Sequence, residues 1–261
     1  MSAGDFVWCD LSAFNADRAR EFYGRLLGWH FEEISQPDGT PYAIAFTSAG
    51  ESAGIFDMPE PFQKMGLPSF WMSYVEVNDI RAAVERARER GGRVEFGPQA
   101  FGDNSSIALI RDPLGAGFTA YEGSDLSPRR RDAAFGHMTW NALYVSDAQA
   151  VIEFYASLFG WQISRDPSRL DRWIVRNARG EQIAAIEEQS DEMRGGYQYW
   201  GVHFAVRDAG EAMTTLSALG ARVLAEEVTE AATVLAAQDV DGAAFYLVQS
   251  TPSQGLGVTD D

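Results

Sequence analysis

The segments AREFYGRLLGW (Ala19 to Trp29) and VIEFYASLFGW (Val151 to Trp161) share six identical positions, E, F, Y, L, G and W, at a constant offset of 132 residues. Two copies of one unit in tandem constrain the fold before any single residue is interpreted. The chain reads as a duplication of roughly half its own length.

Other landmarks keep the offset with a few deletions in the second copy. Trp8 matches Trp140, Asp79 in VEVNDI matches Asp208 in FAVRDA, and Asp112 in DPLG matches Asp239 in DVDG. The spacing predicts a first domain over 1–122, a linker over 123–134, a second domain over 135–250 and a tail over 251–261. In the joining stretch EGSDLSPRRRD (Glu122 to Asp132) apolar periodicity disappears. Its three arginines, Arg129 to Arg131, read as a solvated linker rather than an anion site.

The 261 residues are 46% hydrophobic and 12% aromatic, enough apolar material for two separate cores. A single cysteine, Cys9, rules out an intrachain disulfide. The amino terminus MSAGDFVWCD lacks a basic stretch followed by an apolar run, and nowhere do about 18 apolar residues follow one another. The expected location is cytoplasmic, with no membrane partner. A formal net charge of −17 repels polyphosphate, so nucleic acid is not an expected partner. The acidity is that of a solubilising surface, with a preference for cationic ligands as the alternative.

Within each half a shorter pattern recurs. Strand-like Phe6 to Leu11 is followed by a helix capped by Asn15 or Asp17, with Ala19, Phe22, Leu26 and Leu27 on one face and Gly28 at its end. Strands are predicted near 29–34, 41–47 and 52–57. After the Pro-rich loop over 58–68 the order returns: a strand over 70–77, a helix over 79–90, then strands near 93–96, 105–110 and 116–121. In the second half the helices fall near 147–159 and 208–219. The chain therefore holds four βαβββ modules.

An N-terminal strand, the element FY-x-x-x-x-GW preceded by Asp17 or Asp147, a V-x-D helix start and a DP-x-G hairpin closing the half resemble the vicinal oxygen chelate superfamily, which contains glyoxalases, bleomycin-resistance proteins, fosfomycin-resistance enzymes and extradiol dioxygenases. The resemblance covers nearly the whole chain, twice. It implies an α+β fold of two tandem domains, each a pair of βαβββ modules whose mixed sheet curves into a cup with helices outside. A concave apolar face with a few polar groups is the usual small-molecule site.

The resemblance also implies where a divalent metal would be held, on a His or Gln of each module's first strand and a Glu of the last. The first-strand position falls on Trp8 and Trp140, its second-module equivalent on Met72 and Gly201, and the terminal Glu on Thr119 and Tyr246. These residues do not form that ligand set, so no metal and no other cofactor is expected. Of the three histidines, His30 reads as exposed and His137 as a linker-end residue. His203 is placed on a cup face by the two-residue period of a strand, as a core histidine or a functional one.

The same alternation turns Trp8, Asp10, Met72, Tyr74, Glu76, Thr119 and Tyr121 into the first cup, and Val7, Cys9, Leu11, Val75 and Val77 towards the helices. The second cup receives Trp140, Ala142, Tyr144, His203, Ala205, Tyr246 and Val248. In each cup the aromatics either line a site or simply fill it. Carboxylates among aromatics favour the first cup as the site, because an unpaired buried charge is costly unless protonated, paired or wet. Burial is expected to raise the pKa of Asp10, with Glu76 adding like-charge repulsion if it is close.

No GxGxxG or Walker sequence supports nucleotide binding. The loops over 58–68 and around Gly195 and Gly196 join modules, and either connect or cover a cup. Two main function classes remain. One is a metal-free binding protein of the bleomycin-resistance kind for a small aromatic or hydrophobic metabolite or antibiotic, with Trp8, Met72, Tyr74, Thr119, Tyr121, Trp140, Tyr144 and Tyr246 as ligand contacts. The other is a metal-independent isomerase, cyclase or lyase using Asp10, Glu76 or His203 as acid or base. A metal-dependent glyoxalase or dioxygenase is the weaker third. Four modules in one chain already make two cups, so a monomer, or a homodimer through outer faces, is expected.

Overall fold

The computed structural model describes residues 3–35, 39–64, 66–126 and 134–250. The three linker arginines and the tail over 251–261 lie outside the described residues. The first half runs β1 (Phe6–Ala13), α1 (Ala16–Leu27), β2 (His30–Ser35), β3 (Pro41–Thr47), β4 (Gly50–Asp57), α2 (Glu60–Lys64), β5 (Phe70–Glu76), α3 (Ile80–Glu89), β6 (Arg93–Phe101), β7 (Ser105–Arg111) and β8 (Gly117–Gly123). The second runs β9 (Met138–Val145), α4 (Gln149–Phe159), β10 (Gln162–Arg165), β11 (Arg172–Arg176), β12 (Gln182–Glu188), α5 (Asp191–Arg194), β13 (Tyr199–Ala205), α6 (Ala209–Ala218), β14 (Arg222–Val228), β15 (Ala232–Gln238) and β16 (Ala244–Ser250). Within the loop expected over 58–68, the residues after Pro59 form the single-turn α2.

Local signals place the long helices. Asn15, Asp79 and Asp208 each accept a hydrogen bond from the backbone N–H three residues on, satisfying a donor the helix itself leaves unpaired. Asn15, not Asp17, is the cap of α1, and Gly28 ends that helix in the left-handed conformation.

The strands form two eight-stranded sheets, ordered β2-β3-β4-β1-β5-β8-β7-β6 and β10-β11-β12-β9-β13-β16-β15-β14. Each is two modules joined through their first strands, β1 antiparallel to β5 and β9 antiparallel to β13. Within a module the first and last strands run parallel, as in β1 with β4 and β5 with β8.

The expectation of two separate cores is not met. One continuous apolar cluster holds residues of both halves, among them Phe22, Trp71, Phe118, Phe154, Phe204 and Phe245, while smaller clusters lie in each cup. The helices pack on the outer face of their own half's sheet, and the first helix of each half also reaches the last strand of the other half. Phe22 and Tyr23 of α1 meet Phe245 of β16 at ring-centroid separations of 6.0 and 5.4 Å. Reciprocally, Phe154 and Tyr155 of α4 meet Phe118 of β8 at 6.2 and 5.8 Å.

Polar contacts repeat the exchange and account for the duplicated motif. Tyr23 Oη donates to Asp239 Oδ2 at 3.0 Å and accepts from Trp71 Nε1 at 3.0 Å. Tyr155 Oη donates to Asp112 Oδ2 at 3.0 Å and accepts from Trp200 Nε1 at 2.9 Å. Each aspartate uses its other oxygen to tie its own hairpin, Asp112 Oδ1 accepting from Leu114 and Ala116 N–H and Asp239 Oδ1 from Asp241 and Ala243 N–H. Trp29 Nε1 donates to Gly136 O at 2.9 Å and Trp161 Nε1 to Gly4 O at 2.8 Å. The FY-x-x-x-x-GW element of each copy therefore grips the other copy.

Candidate functional site

With the outer faces of the sheets occupied by this joint core, the inner faces are left for chemistry. Neighbouring strands bring Trp8, Tyr74 and Thr119 level across β1, β5 and β8, with Asp10 level with Met72 one pleat further along. These five expected residues line one cavity of 660 Å³, together with Tyr42, Phe56, Phe70, Phe101 and others. The volume lies within the range of small-molecule pockets.

At its wall Tyr74 Oη donates to Asp10 Oδ2 at 2.6 Å, and Tyr42 Oη reaches the same oxygen at 3.5 Å. Trp8 Nε1 donates to Tyr42 Oη at 2.9 Å. Burial pushes the Asp10 carboxyl up to about 7, because desolvation outweighs the two tyrosine hydrogen bonds that favour the charged form. Burial and the neighbouring Asp10 carboxylate push the Tyr74 and Tyr42 phenols well above their ordinary range, so both remain donors near neutral pH.

Tyr42 reaches this position because Gly54 leaves room for it. A Cβ on Gly54 would stand 1.7 Å from Tyr42 Oη. Gly54 is also the β4 residue level with Asp10. Tyr42 and Ser12 are absent from the residues singled out by sequence, although the same alternation reaches both: Ser12 follows Trp8 and Asp10 on β1, and Tyr42 opens the apolar stretch YAIAF of β3.

Glu76 does not join the site. It is buried at the end of β5, level with Tyr121, with Asp5 and Arg179 rather than Asp10 as its charged surroundings, and burial raises its pKa. The like-charge coupling expected with Asp10 is therefore missing. Tyr121 does not touch the cavity either. Fully buried, it pairs with Ser105 Oγ at 2.8 Å and accepts from Leu126 N–H at 2.8 Å, holding the chain after β8 across the cup, where Asp125 and Leu126 join the lining. Pro59 and Phe62, from the loop joining the modules, also border the cavity. Val7 belongs to the cup cluster, not to the helix side as expected. A bulge between Phe6 and Trp8 reverses the alternation there and sends Phe6 outward against Trp161 and Trp200.

The second cup is filled. Its cluster joins Ala142, Tyr144 and Tyr246 with the half-buried Trp140. Tyr144 and Tyr246 stack at 5.1 Å, and His203 stacks on Tyr246 at 4.4 Å. Both tyrosines lie over Gly201, where a Cβ would come within 2.5 Å of Tyr246 and 2.8 Å of Tyr144. His203 Nδ1 faces Gly201 O at 3.2 Å, and burial lowers its pKa to about 3, so it is a neutral core imidazole near neutral pH. His137, read by sequence as a linker-end residue, is buried and pairs with Thr47 Oγ1 of the first half at 2.6 Å.

The inner-face positions that would hold a divalent ion carry indole, thioether, phenol and hydroxyl groups. Among the described residues no three His, Cys, Asp or Glu side chains converge into a ligand set. The donor chemistry of neither cup fits the metal centre that the fold implies.

The family model of the Glyoxalase/Bleomycin resistance protein/Dioxygenase superfamily matches residues 6–119, and that of the Glyoxalase-like domain matches 140–248. "Putative glyoxylase CFP32" of Mycobacterium tuberculosis (strain CDC 1551 / Oshkosh) is 27% identical over 251 residues, covering 95% of each chain. The anthracycline biosynthesis protein DnrV of Streptomyces peucetius is 24% identical over 235 residues, covering 85% of this chain and 84% of the relative. Homoprotocatechuate 2,3-dioxygenase from Arthrobacter globiformis shares the fold with a TM-score of 0.65 at 16% identity, over 95% of this chain and 80% of that one. Sequence motif, module topology and both family models agree: the chain belongs to the glyoxalase/bleomycin resistance protein/dioxygenase superfamily as a tandem two-domain member.

Proposed function

We propose that the first cup binds a small aromatic or hydrophobic metabolite or antibiotic without a bound metal ion. The observation that carries this reading is the asymmetry of two cups built to one plan. One keeps a 660 Å³ cavity walled by aromatic side chains, and the other is packed with its own tyrosines. Trp8, Tyr42, Tyr74 and Met72 offer faces for a planar ligand. A relative named for anthracycline biosynthesis is consistent with a planar aromatic ligand. The contacts proposed from sequence narrow to Trp8, Met72, Tyr74 and Thr119, because Tyr121 braces the wall while Trp140, Tyr144 and Tyr246 belong to the filled cup.

Titration of the protein with planar aromatic compounds, followed by tryptophan fluorescence and calorimetry, tests the reading. Trp8→Ala should weaken binding by about 1 kcal/mol or more through lost stacking and burial. Unchanged affinity in a folded variant would remove this cup from consideration. Metal analysis of protein purified without chelators tests the other half of the claim, and one tightly bound transition metal per chain would overturn it.

One observation favours a second reading, a metal-independent enzyme. A carboxyl that titrates near 7 at a cavity wall, backed by two phenol donors, is suited to take and return a proton. Glu76 and His203 lie away from the cavity, so this reading rests on Asp10 alone. Asp10→Asn keeps shape and hydrogen bonding and should abolish turnover with ligand affinity retained. Full activity in that variant would leave the binding reading standing alone.

A further inference from the structure

Resting on the binding reading of the first cup, the polar groups of β1 narrow the ligand class. Both tyrosine donors that reach Asp10 go to Oδ2, so Oδ1 has no hydrogen-bond donor among the described residues. Ser12, on the same strand face, lines the same cavity, and its Oγ is buried without a hydrogen-bond partner. A buried hydroxyl with no partner costs free energy that a ligand group recovers by bonding to it. Same-face neighbours on a strand are roughly 6.6 Å apart. The cup therefore presents two unanswered polar points on side chains one strand repeat apart, beside the aromatic groups Trp8, Tyr42, Phe56 and Phe70.

The geometry points to a fused-ring aromatic ligand carrying two hydroxyl groups at opposite ends, one meeting Asp10 Oδ1 and the other Ser12 Oγ. Hydroxyls fit better than amines for a chemical reason. A hydroxyl both donates and accepts, so it answers Asp10 as carboxylate or as carboxylic acid, and it answers Ser12 whichever way that rotor points. An ammonium only donates, and it must lose its hydration to reach Asp10 and Ser12 among the aromatic side chains, although Glu51 and Asp125 also border the cavity. A ligand without polar groups would leave both points unpaired.

The test compares four probes on the intact chain by calorimetry: naphthalene, a naphthol, a naphthalenediol with hydroxyls on opposite rings, and an aminomethylnaphthalene. Each hydroxyl should tighten binding roughly fivefold, placing the diol above the naphthol and the naphthol above naphthalene. Ser12→Ala, which removes one oxygen from a well-packed strand, should bring the diol down to the naphthol's affinity and leave the naphthol unchanged. Equal affinities for the three neutral probes, or an undiminished diol preference in Ser12→Ala, would overturn the polar pair while leaving an aromatic cup. Tighter binding of the ammonium probe than of the diol would overturn the hydroxyl class. Absence of binding by any probe would bring down this inference together with the cup reading.

Discussion

Replacing Asp10 by asparagine isolates one buried carboxyl from every other titrating group in the chain. In the wild-type fold this carboxyl titrates at about 7, against an ordinary value of 3.8, and burial is the principal cause. Below 3.8 it is protonated in folded and unfolded chains alike, so the fold carries no penalty from it. Between 3.8 and about 7 the unfolded chain ionises while the folded one keeps its proton, so stability falls as pH rises. The loss runs at about 1.4 kcal/mol per pH unit and levels off above about pH 7 at roughly 4 kcal/mol.

Asparagine has no such titration. Its carbonyl oxygen replaces Oδ2 as the acceptor for Tyr74 and Tyr42. Denaturant unfolding of both proteins at about pH 4, 5, 6, 7 and 8 gives the difference at each pH, in which the other carboxylates cancel. The variant should gain on the wild type steadily between about pH 4 and 7, by several kcal/mol in all, and hold that gain above. A difference that stays flat across the range would refute the account of Asp10 as a desolvated carboxyl, and the acid–base reading with it.

The reciprocal contacts between the halves predict matched costs. Tyr23→Phe leaves Asp239 and the Trp71 N–H each short of one bond, Tyr155→Phe does the same to Asp112 and Trp200, and each should cost about 1–3 kcal/mol in denaturant unfolding. A large cost for one with none for the other would contradict the symmetry. Gly54→Ala puts a methyl 1.7 Å from Tyr42 Oη, so Tyr42 must leave its bonds to Trp8 and Asp10, and ligand affinity should fall roughly tenfold. Gly201→Ala instead crowds Tyr144 and Tyr246 and should cost about 1–3 kcal/mol of stability with ligand affinity unchanged; lost binding there would assign the site to the other cup. For His203 the sign is opposite to that for Asp10. Its pKa is depressed from 6.5 to about 3, so its contribution to stability is present above 6.5 and lost as pH falls towards 3. Its ring proton resonances should not titrate between about pH 8 and 5, and a midpoint near 6.5 would show a solvated imidazole.

Much of the local structure was legible in the chain. Asn15, Asp79 and Asp208 mark helix starts because a short acceptor side chain pairs with an unpaired N–H a few residues away, a contact that needs nothing distant. The alternation through Trp8 and Asp10, and through Met72 and Tyr74, placed those side chains on the inner face because a strand's geometry is itself local. It misplaced Val7, where a bulge reverses the faces, and a bulge arises from pairing with β5 rather than from β1 alone.

The remainder depended on contacts between segments far apart in sequence. Tyr23 and Asp239 are separated by 216 residues, so the function of the repeated FY-x-x-x-x-GW element, gripping the other copy, is invisible within either copy. The difference between the cups is equally non-local. On composition both are aromatic, and in both a tyrosine lies over a glycine, Tyr42 over Gly54 and Tyr144 with Tyr246 over Gly201; the stacking of two rings and His203 in the second cup comes from strands far apart in sequence. The sequence by itself determined the duplication, from a repeat readable in the chain alone, and the module order and the face of residues on regular strands such as Trp8, Asp10, Met72 and Tyr74, from periods of a few residues. Only the tertiary structure decided that Asp10 stands at an open cavity while Glu76 and His203 do not, because burial, cavity and pKa are set by which side chains from distant strands occupy the same volume.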